Sequence, residues 1–403
     1  MKRITSAFLV SISAVFTSGT ALAAAEDPLQ IIVSLKDQHA RVFQGTTEVA
    51  NSNISSGKRG HRTPTGIFSV LQKNRYHRSN IYSGAPMPYM QRLTWSGIAL
   101  HASNSVPRHP ASHGCVRLPH GFAKKLFSME TNGVHVIIED EPTEPRSISH
   151  PLLFQPKKSW TQSADFDGWV NAHIEKSNYG FVEEGKYRDK PARVFITRRT
   201  AKDDLFEVQR LLNKLGHEAG DVDGIMGPAT WKAITAFQEA RNVEKNGKVD
   251  NDLINSLYLA AGEKRPPNGR LMVRKYYRNV FEAGVEIGEP ETPLGSHLIT
   301  SSSFDADAGK VQWVSLSLLD RVHRPLHLRT ENDLDTTTQR RSVFGALSRI
   351  SIDKRVSEQV SRLLSPGSSI AISDNGLSIE TGAKGTDFIV LSKPDKDKLA
   401  SAN

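Results

Sequence analysis

The stretch that decides the fold is Ile98-Ala99-Leu100-His101-Ala102-Ser103, followed after a loop by Ser112-His113-Gly114-Cys115-Val116-Arg117-Leu118. The apolar residues leading into His101 predict a strand, so that the chain can return through the loop and carry Cys115 to the imidazole. A thiol becomes a useful nucleophile when a base or a positive field favours its thiolate, and two histidines and Arg117 lie close to this cysteine in sequence. Gly114 lets the backbone pass close to a substrate, and the N–H groups around His113 to Cys115 can face a developing oxyanion. His101, His109, His113 and Cys115 are all capable zinc ligands. Cys115 is, however, the only cysteine of the chain, without the paired C-x-x-C spacing of zinc sites, and neither metal nor other cofactor is expected.

Outward from this block, residues 27–141 read as one β-rich domain. Ile31, Val33 and Leu35 alternate with polar residues, Val42-Phe43 precede a turn at Gly45, and Thr63-Pro64-Thr65-Gly66 introduces Ile67 to Leu71. Gly121 to Met129 has helical spacing, and Gly133 to Glu139 reads as a closing strand. Between the Thr63–Gly66 turn and Trp95, the segment Lys73 to Arg92 mixes Tyr, Met and Arg, which suits either a lid over the site or a packed loop.

Residues 142–200 are punctuated by proline, with Trp160 and Trp169 as anchors, and read as a connecting region. Residues 201–262 form a small three-helix block. Leu205, Val208, Leu211 and Leu212 share one face, Pro228 opens a second helix, and Asp250 caps a third. Residues 268–392 read as a degenerate internal repeat of the first domain. Val280-Phe281 echoes Val42-Phe43, Thr292-Pro293-Leu294-Gly295 echoes Thr63–Gly66, and Trp313 to Leu319 matches the spacing of Trp95 to His101. On that alignment Leu319 replaces His101, no cysteine is present, and Ser315 and Ser317 lack a nearby base. The fold class expected is therefore multidomain: a β-rich catalytic domain, a three-helix domain and a β-rich degenerate repeat.

The full chain has 403 residues and ordinary composition, 38% hydrophobic and 24% charged, too long for a single core and too apolar for a disordered chain. Lys2-Arg3, an apolar run to about Phe16 and Ala21-Leu22-Ala23 read as a secretory signal over 1–23, too short to span a bilayer. Export with no transmembrane span after its removal is the expectation, in the periplasm or cell envelope. The formal charge of +9 suits anionic envelope material, and no nucleic-acid motif is present.

On His101 and Ser112-His113-Gly114-Cys115-Val116-Arg117, residues 29–140 resemble the L,D-transpeptidases of the bacterial cell wall. The resemblance implies Cys115 as nucleophile, His101 as proton acceptor and donor, His113 with Gly114 in the oxyanion and positioning shell, and Arg117 holding substrate. Ala102 stands where the family often has Gly, and the interval from His101 to Ser112 is short. Through Val208-Gln209, Asp223-Gly224-Ile225, Gly227-Pro228 and Phe237-Gln238, the helical block resembles a peptidoglycan-binding domain. Together these imply an exported enzyme that acts on peptidoglycan stem peptides through a Cys115 thioester and forms 3-3 cross-links. Water as acceptor would make it an L,D-carboxypeptidase, and an envelope protein as acceptor would make it an anchoring enzyme. A non-catalytic peptidoglycan-binding scaffold is the reading from another class.

Overall fold

The computed structural model describes residues 27–81, 84–129, 133–156, 190–305, 308–318, 342–382 and 386–392. The expected signal, Trp160, Trp169 and Leu319 lie outside the described residues.

The first unit runs β1 (Leu29–Ser34), β2 (His39–Gln44), β3 (Thr47–Asn53), β4 (Gly66–Ser69), β5 (Gln72–Arg78), β6 (Pro86–Arg92), β7 (Ala99–Ala102), β8 (Val116–Leu118), α1 (His120–Met129) and β9 (His135–Glu139). The chain continues through β10 (Arg146–Ile148) and β11 (Ala192–Arg198) to three helices, α2 (Ala201–Lys214), α3 (Pro228–Ala240) and α4 (Asn251–Ala261). It then returns as β12 (Gly269–Lys275), β13 (Arg278–Ile287), β14 (Ser296–Asp305), β15 (Lys310–Leu318), α5 (Val343–Ser348), β16 (Ile350–Ser351), α6 (Lys354–Leu363), β17 (Ser369–Ser373) and β18 (Val390–Leu391).

Three sheets result, with orders β18-β4-β9-β1-β2-β3, β5-β6-β7-β8 and β10-β15-β14-β17-β11-β12-β13-β16. The six- and eight-stranded sheets share a core. In β1, Ile31 and Val33 face the interior of the first unit while Ile32 faces the other way. Val136 and Ile138 against Ile137 repeat this in β9. In β11, Val194 and Ile196 face the interior of the second unit, and Phe195 meets Ile32 and Ile137 in the shared layer. A strand covered on both faces has no reason to alternate, which is why these strands contain consecutive apolar residues.

The segment 142–200, expected to connect, instead supplies β10 and β11 to the eight-stranded sheet. β11 lies inside that sheet, antiparallel to β12 and parallel to β17. The helical block is thus inserted between two neighbouring strands, with Arg198 paired to Gly269. The helices α2 to α4 lie within it, with Asp250 accepting from Leu253 N–H at 2.9 Å as the cap of α4. Three further helices, α1, α5 and α6, occur among the described residues.

The order β4-β9-β1-β2-β3 in the first sheet matches β14-β17-β11-β12-β13 in the second. Parallel and antiparallel senses agree at each step. The inserted helices displace the counterpart of β1 to residues 192–198, upstream of the expected start at 268. Val280-Phe281 consequently lies on β13, the counterpart of β3, whereas Val42-Phe43 lies on β2. The Thr292–Gly295 turn does run into β14 as Thr63–Gly66 runs into β4. Trp313 belongs to β15, paired with β14, so its echo of the strand carrying His101 does not hold. The second unit also gives up its last strand: β18 pairs with β4 of the first unit.

Candidate active site

β7 and β8 are parallel neighbours, with Leu100 opposite Val116 and His101 opposite Arg117. Since side chains alternate along a strand, the register places His101 and Arg117 on one face, with Cys115 one residue before β8 on that same face. The loop between them is held by buried hydroxyls. Ser112 Oγ donates to the carbonyl of Cys115 at 2.5 Å and accepts from Gly114 N–H at 3.1 Å. Thr63 Oγ1 donates to the carbonyl of Gly114 at 2.7 Å and accepts from Gly57 N–H at 2.9 Å. Gly114 has φ +112°, and a Cβ there would also crowd the Ile98 side chain, so two separate constraints require glycine. Its N–H is committed to Ser112, which removes it from the candidate oxyanion donors.

His101 is 8% exposed, and its Nδ1 lies 2.8 Å from the carbonyl of Ala102. Burial pushes the imidazole down to about 4, the Ala102 bond opposes this, and the charges of Arg117 and His77 add to the fall. The Cys115 thiol donates to the carbonyl of Gly97 at 3.4 Å. Burial pushes this thiol above its ordinary value, against the pull of the Ala99 backbone and the charges of Arg92 and Arg117. The positive field expected to favour a thiolate is present, but desolvation outweighs it.

His113 lies at the exposed rim, edge-on to His61 with ring centroids 4.7 Å apart. Desolvation and the charges of Lys58, His61 and Arg117 lower its imidazole. His109 is exposed, with Nδ1 3.1 Å from the Pro107 carbonyl. Among the described residues no group of three or more His, Cys, Asp or Glu side chains is arranged to hold a metal ion.

An open cleft of about 1220 Å³ contains His101, His113, Cys115 and Arg117 along its walls. The segment Lys73 to Arg92, open in sequence to a lid or a packed loop, is largely taken up by the antiparallel strands β5 and β6, with Ile81 and Met87 lining this cleft. β5 is largely exposed on both faces, so its sequence carries no apolar alternation by which to recognise it. Ser112 and Thr63 are positioning residues, which sequence reading placed in the motif block and in a turn without giving either a role. Their signal was a buried polar side chain beside the nucleophile, and burial is not visible in sequence.

Residues 28–138 match the L,D-transpeptidase catalytic domain family. Residues 202–257 match the family described as a putative peptidoglycan binding domain. In that helical domain Gln209 Nε2 bonds Asp223, the Ile225 carbonyl and Thr230, so these motif residues hold the loop into α3. Among solved structures, an L,D-transpeptidase from Mycobacterium smegmatis is 21% identical, covering 28% of this chain and 58% of its own, with a TM-score of 0.26. An L,D-transpeptidase from Xylanimonas cellulosilytica is 25% identical, with 28% and 61% covered and a TM-score of 0.26. One from Stackebrandtia nassauensis is 26% identical, with 30% and 60% covered and a TM-score of 0.26. The chain thus spans 58 to 61% of the length of these solved chains. A comparison with curated proteins returned no match.

A Ser–His contact in the second unit bears on the expectation for Ser317. Ser317 Oγ lies 2.8 Å from His297 Nδ1, whose Nε2 donates to the Leu294 carbonyl at 2.8 Å. The expectation that Ser317 lacks a nearby base is therefore corrected. His297 is 1% exposed and neither residue lines the cleft, so the pair reads as an internal cross-strand bond between β14 and β15. No described helix is long and apolar enough to cross a membrane.

Proposed function

We propose that the chain is an exported L,D-transpeptidase that forms 3-3 cross-links in peptidoglycan through a thioester on Cys115. The observation that carries this reading is the half-buried Cys115 thiol just before β8 and the buried His101 imidazole on β7, both lining one cleft, inside a domain matching the transpeptidase family. With the thiol raised and the imidazole lowered by burial, proton transfer accompanies attack. His101 Nε2 accepts the thiol proton as Sγ bonds to the carbonyl carbon of diaminopimelate in the donor stem. The carbonyl oxygen takes up negative charge, which Arg117 and loop N–H groups other than that of Gly114 stabilise. His101 then gives its proton to the leaving nitrogen, and terminal D-alanine departs. An amine of a second stem attacks the thioester, losing a proton to His101, and the thiol is restored.

The helical domain would hold the enzyme at its polymer, raising the local concentration of stems. The secretory signal read over 1–23 would deliver it to the periplasm. The second β-unit is read as a catalytically silent copy of the first, supported by its matching strand order. Incubating wild type and Cys115→Ser with a disaccharide-tetrapeptide, then weighing protein and products, tests the reading. An adduct on Cys115 with a cross-linked dimer is the expected outcome. Tripeptide alone would favour the carboxypeptidase, and no adduct would leave a binding scaffold.

A further inference from the structure

The cleft is not the work of one unit. Ser378, Glu380, Ile389 and Leu391 reach it from the second unit. They are carried there by β18, which pairs Val390 with Ile67 and Leu391 with Gly66 on β4. Gly66 has φ +152°, and any side chain there would overlap the carbonyl of Val390. Ser392 adds a 2.6 Å bond to Thr65, and Thr381 Oγ1 closes on both the N–H and the carbonyl of Ile389, so the short 3-10 helix Ile379–Gly382, which holds Glu380, is braced against the start of β18.

Glu380 Oε2 accepts from Ser96 N–H at 3.1 Å. Ser96 adjoins Gly97, whose carbonyl receives the Cys115 thiol. A carboxylate from the far unit therefore sits on the turn that holds the nucleophile. Among the described charged residues along the cleft, Lys36, Arg59, Arg62 and Arg117 are cationic and Asp140 and Glu380 anionic. Four cations suit the carboxylates of a peptide stem. A carboxylate on the nucleophile's side repels those same groups unless the substrate brings a cation to it, and the neutral Ser96 N–H cannot discharge that cost.

Resting on the transpeptidase reading, we propose that Glu380 is a specificity residue of this cleft, receiving the side-chain ammonium of the substrate's diamino acid. The second unit then has a function without chemistry of its own: it supplies the wall that selects an amine-bearing stem. A charge-assisted bond of this kind is worth about 1.5 to 3 kcal/mol, or about a tenfold to hundredfold preference.

The test uses the full-length protein and Glu380→Gln, which keeps an oxygen for Ser96 N–H while removing the charge. First-turnover release of D-alanine, which needs no acceptor amine, is followed over a range of stem concentrations with a disaccharide-tetrapeptide bearing the free side-chain amine and with the same stem acetylated at that amine. Acylation of Cys115 by faropenem, which carries no ammonium, reports the competence of the thiol. We expect Glu380→Gln to raise KM for the free-amine stem about tenfold or more, with the acetylated stem and faropenem reacting as in wild type. Equal losses on both stems, or none, would overturn the inference. A wild type that forms no Cys115 adduct with stem or faropenem would instead bring down the transpeptidase reading beneath it.

Discussion

His101 Nδ1 donates to the carbonyl oxygen of Ala102 at 2.8 Å. A carbonyl can only accept, so the neutral ring carries its proton on Nδ1 and presents Nε2 as the base. The tautomer needed for catalysis is thus set by the backbone of the next residue, without a carboxylate partner.

The pH dependence follows from this arrangement. A base must be unprotonated to act, and burial lowers His101 from its ordinary 6.5 to about 4. Activity should hold as pH falls through 6.5 and be lost only as it approaches 4. The raised thiol puts thiolate formation above the usual cysteine range on the alkaline side. Initial rates of Cys115 acylation by faropenem across pH 4 to 9 would check this, and a half-loss near 6.5 would mean a solvated imidazole or a preformed ion pair.

The candidate site was legible in sequence because the chemistry proposed for it uses rare residue types close along the chain: one cysteine, flanked by His101, His113 and Arg117. The shared core was not. Ile31-Ile32-Val33 and Val194-Phe195-Ile196 are apolar at successive positions because each strand has a sheet or helix layer on both faces. Nothing local says that the second face belongs to another unit. The insertion of α2 to α4 between β11 and β12 hid the start of the second unit in the same way, since β11 pairs with β12 residues 71 to 83 positions away. Glu380 is further removed still, and only the pairing of β18 with β4 brings it to Ser96.

Ser112 offers a second prediction. Its hydroxyl joins the Cys115 carbonyl to the Gly114 N–H, both within the loop that aims the nucleophile. In Ser112→Ala both partners lose their bond, at a cost of about 1 to 3 kcal/mol in loop order. The thiol keeps its chemical identity but loses its aim, and misplacement on the order of 1 Å can cost about a hundredfold. We expect kcat to fall tenfold to a hundredfold with KM changed less than threefold. A larger effect on KM than on kcat in steady-state D-alanine release would contradict this role.

The helical domain should be removable without harm to the cleft. Arg199 N–H bonds the carbonyl of Asn268 at 2.9 Å, so β11 and β12 already stand as a hairpin with the helices hung from its end. Replacing residues 200–267 by an Asn-Gly turn should close that hairpin. The Arg270–Asp203 pair, partly exposed, would be lost at a cost of under about 1 kcal/mol. Turnover of a soluble stem should stay within about twofold of wild type, while co-sedimentation with purified sacculi weakens. Undiminished sedimentation would mean that the polymer is held elsewhere.

The last prediction concerns the second unit on its own. A fragment of residues 268–392 contains β12 to β18 but lacks β11, the strand that joins β12 to β17 through two ladders. Without it the sheet splits, and Val194 and Ile196 leave a hole in the core that also contains Ile370 and Ile372. The buried Arg193–Asp387 pair, at 3.2 Å with side chains 7% and 6% exposed, would be broken from one side. Removing one partner of such a pair costs about 3 to 5 kcal/mol, a large share of the roughly 5 to 15 kcal/mol that holds a domain together. The fragment should therefore be unfolded by circular dichroism and rapidly degraded by protease. A fragment of residues 142–392, which restores β10 and β11 together with the helical domain, should regain sheet signal and protease resistance. A cooperative thermal transition in the shorter fragment would show that β11 is dispensable and that the two-ladder argument is wrong.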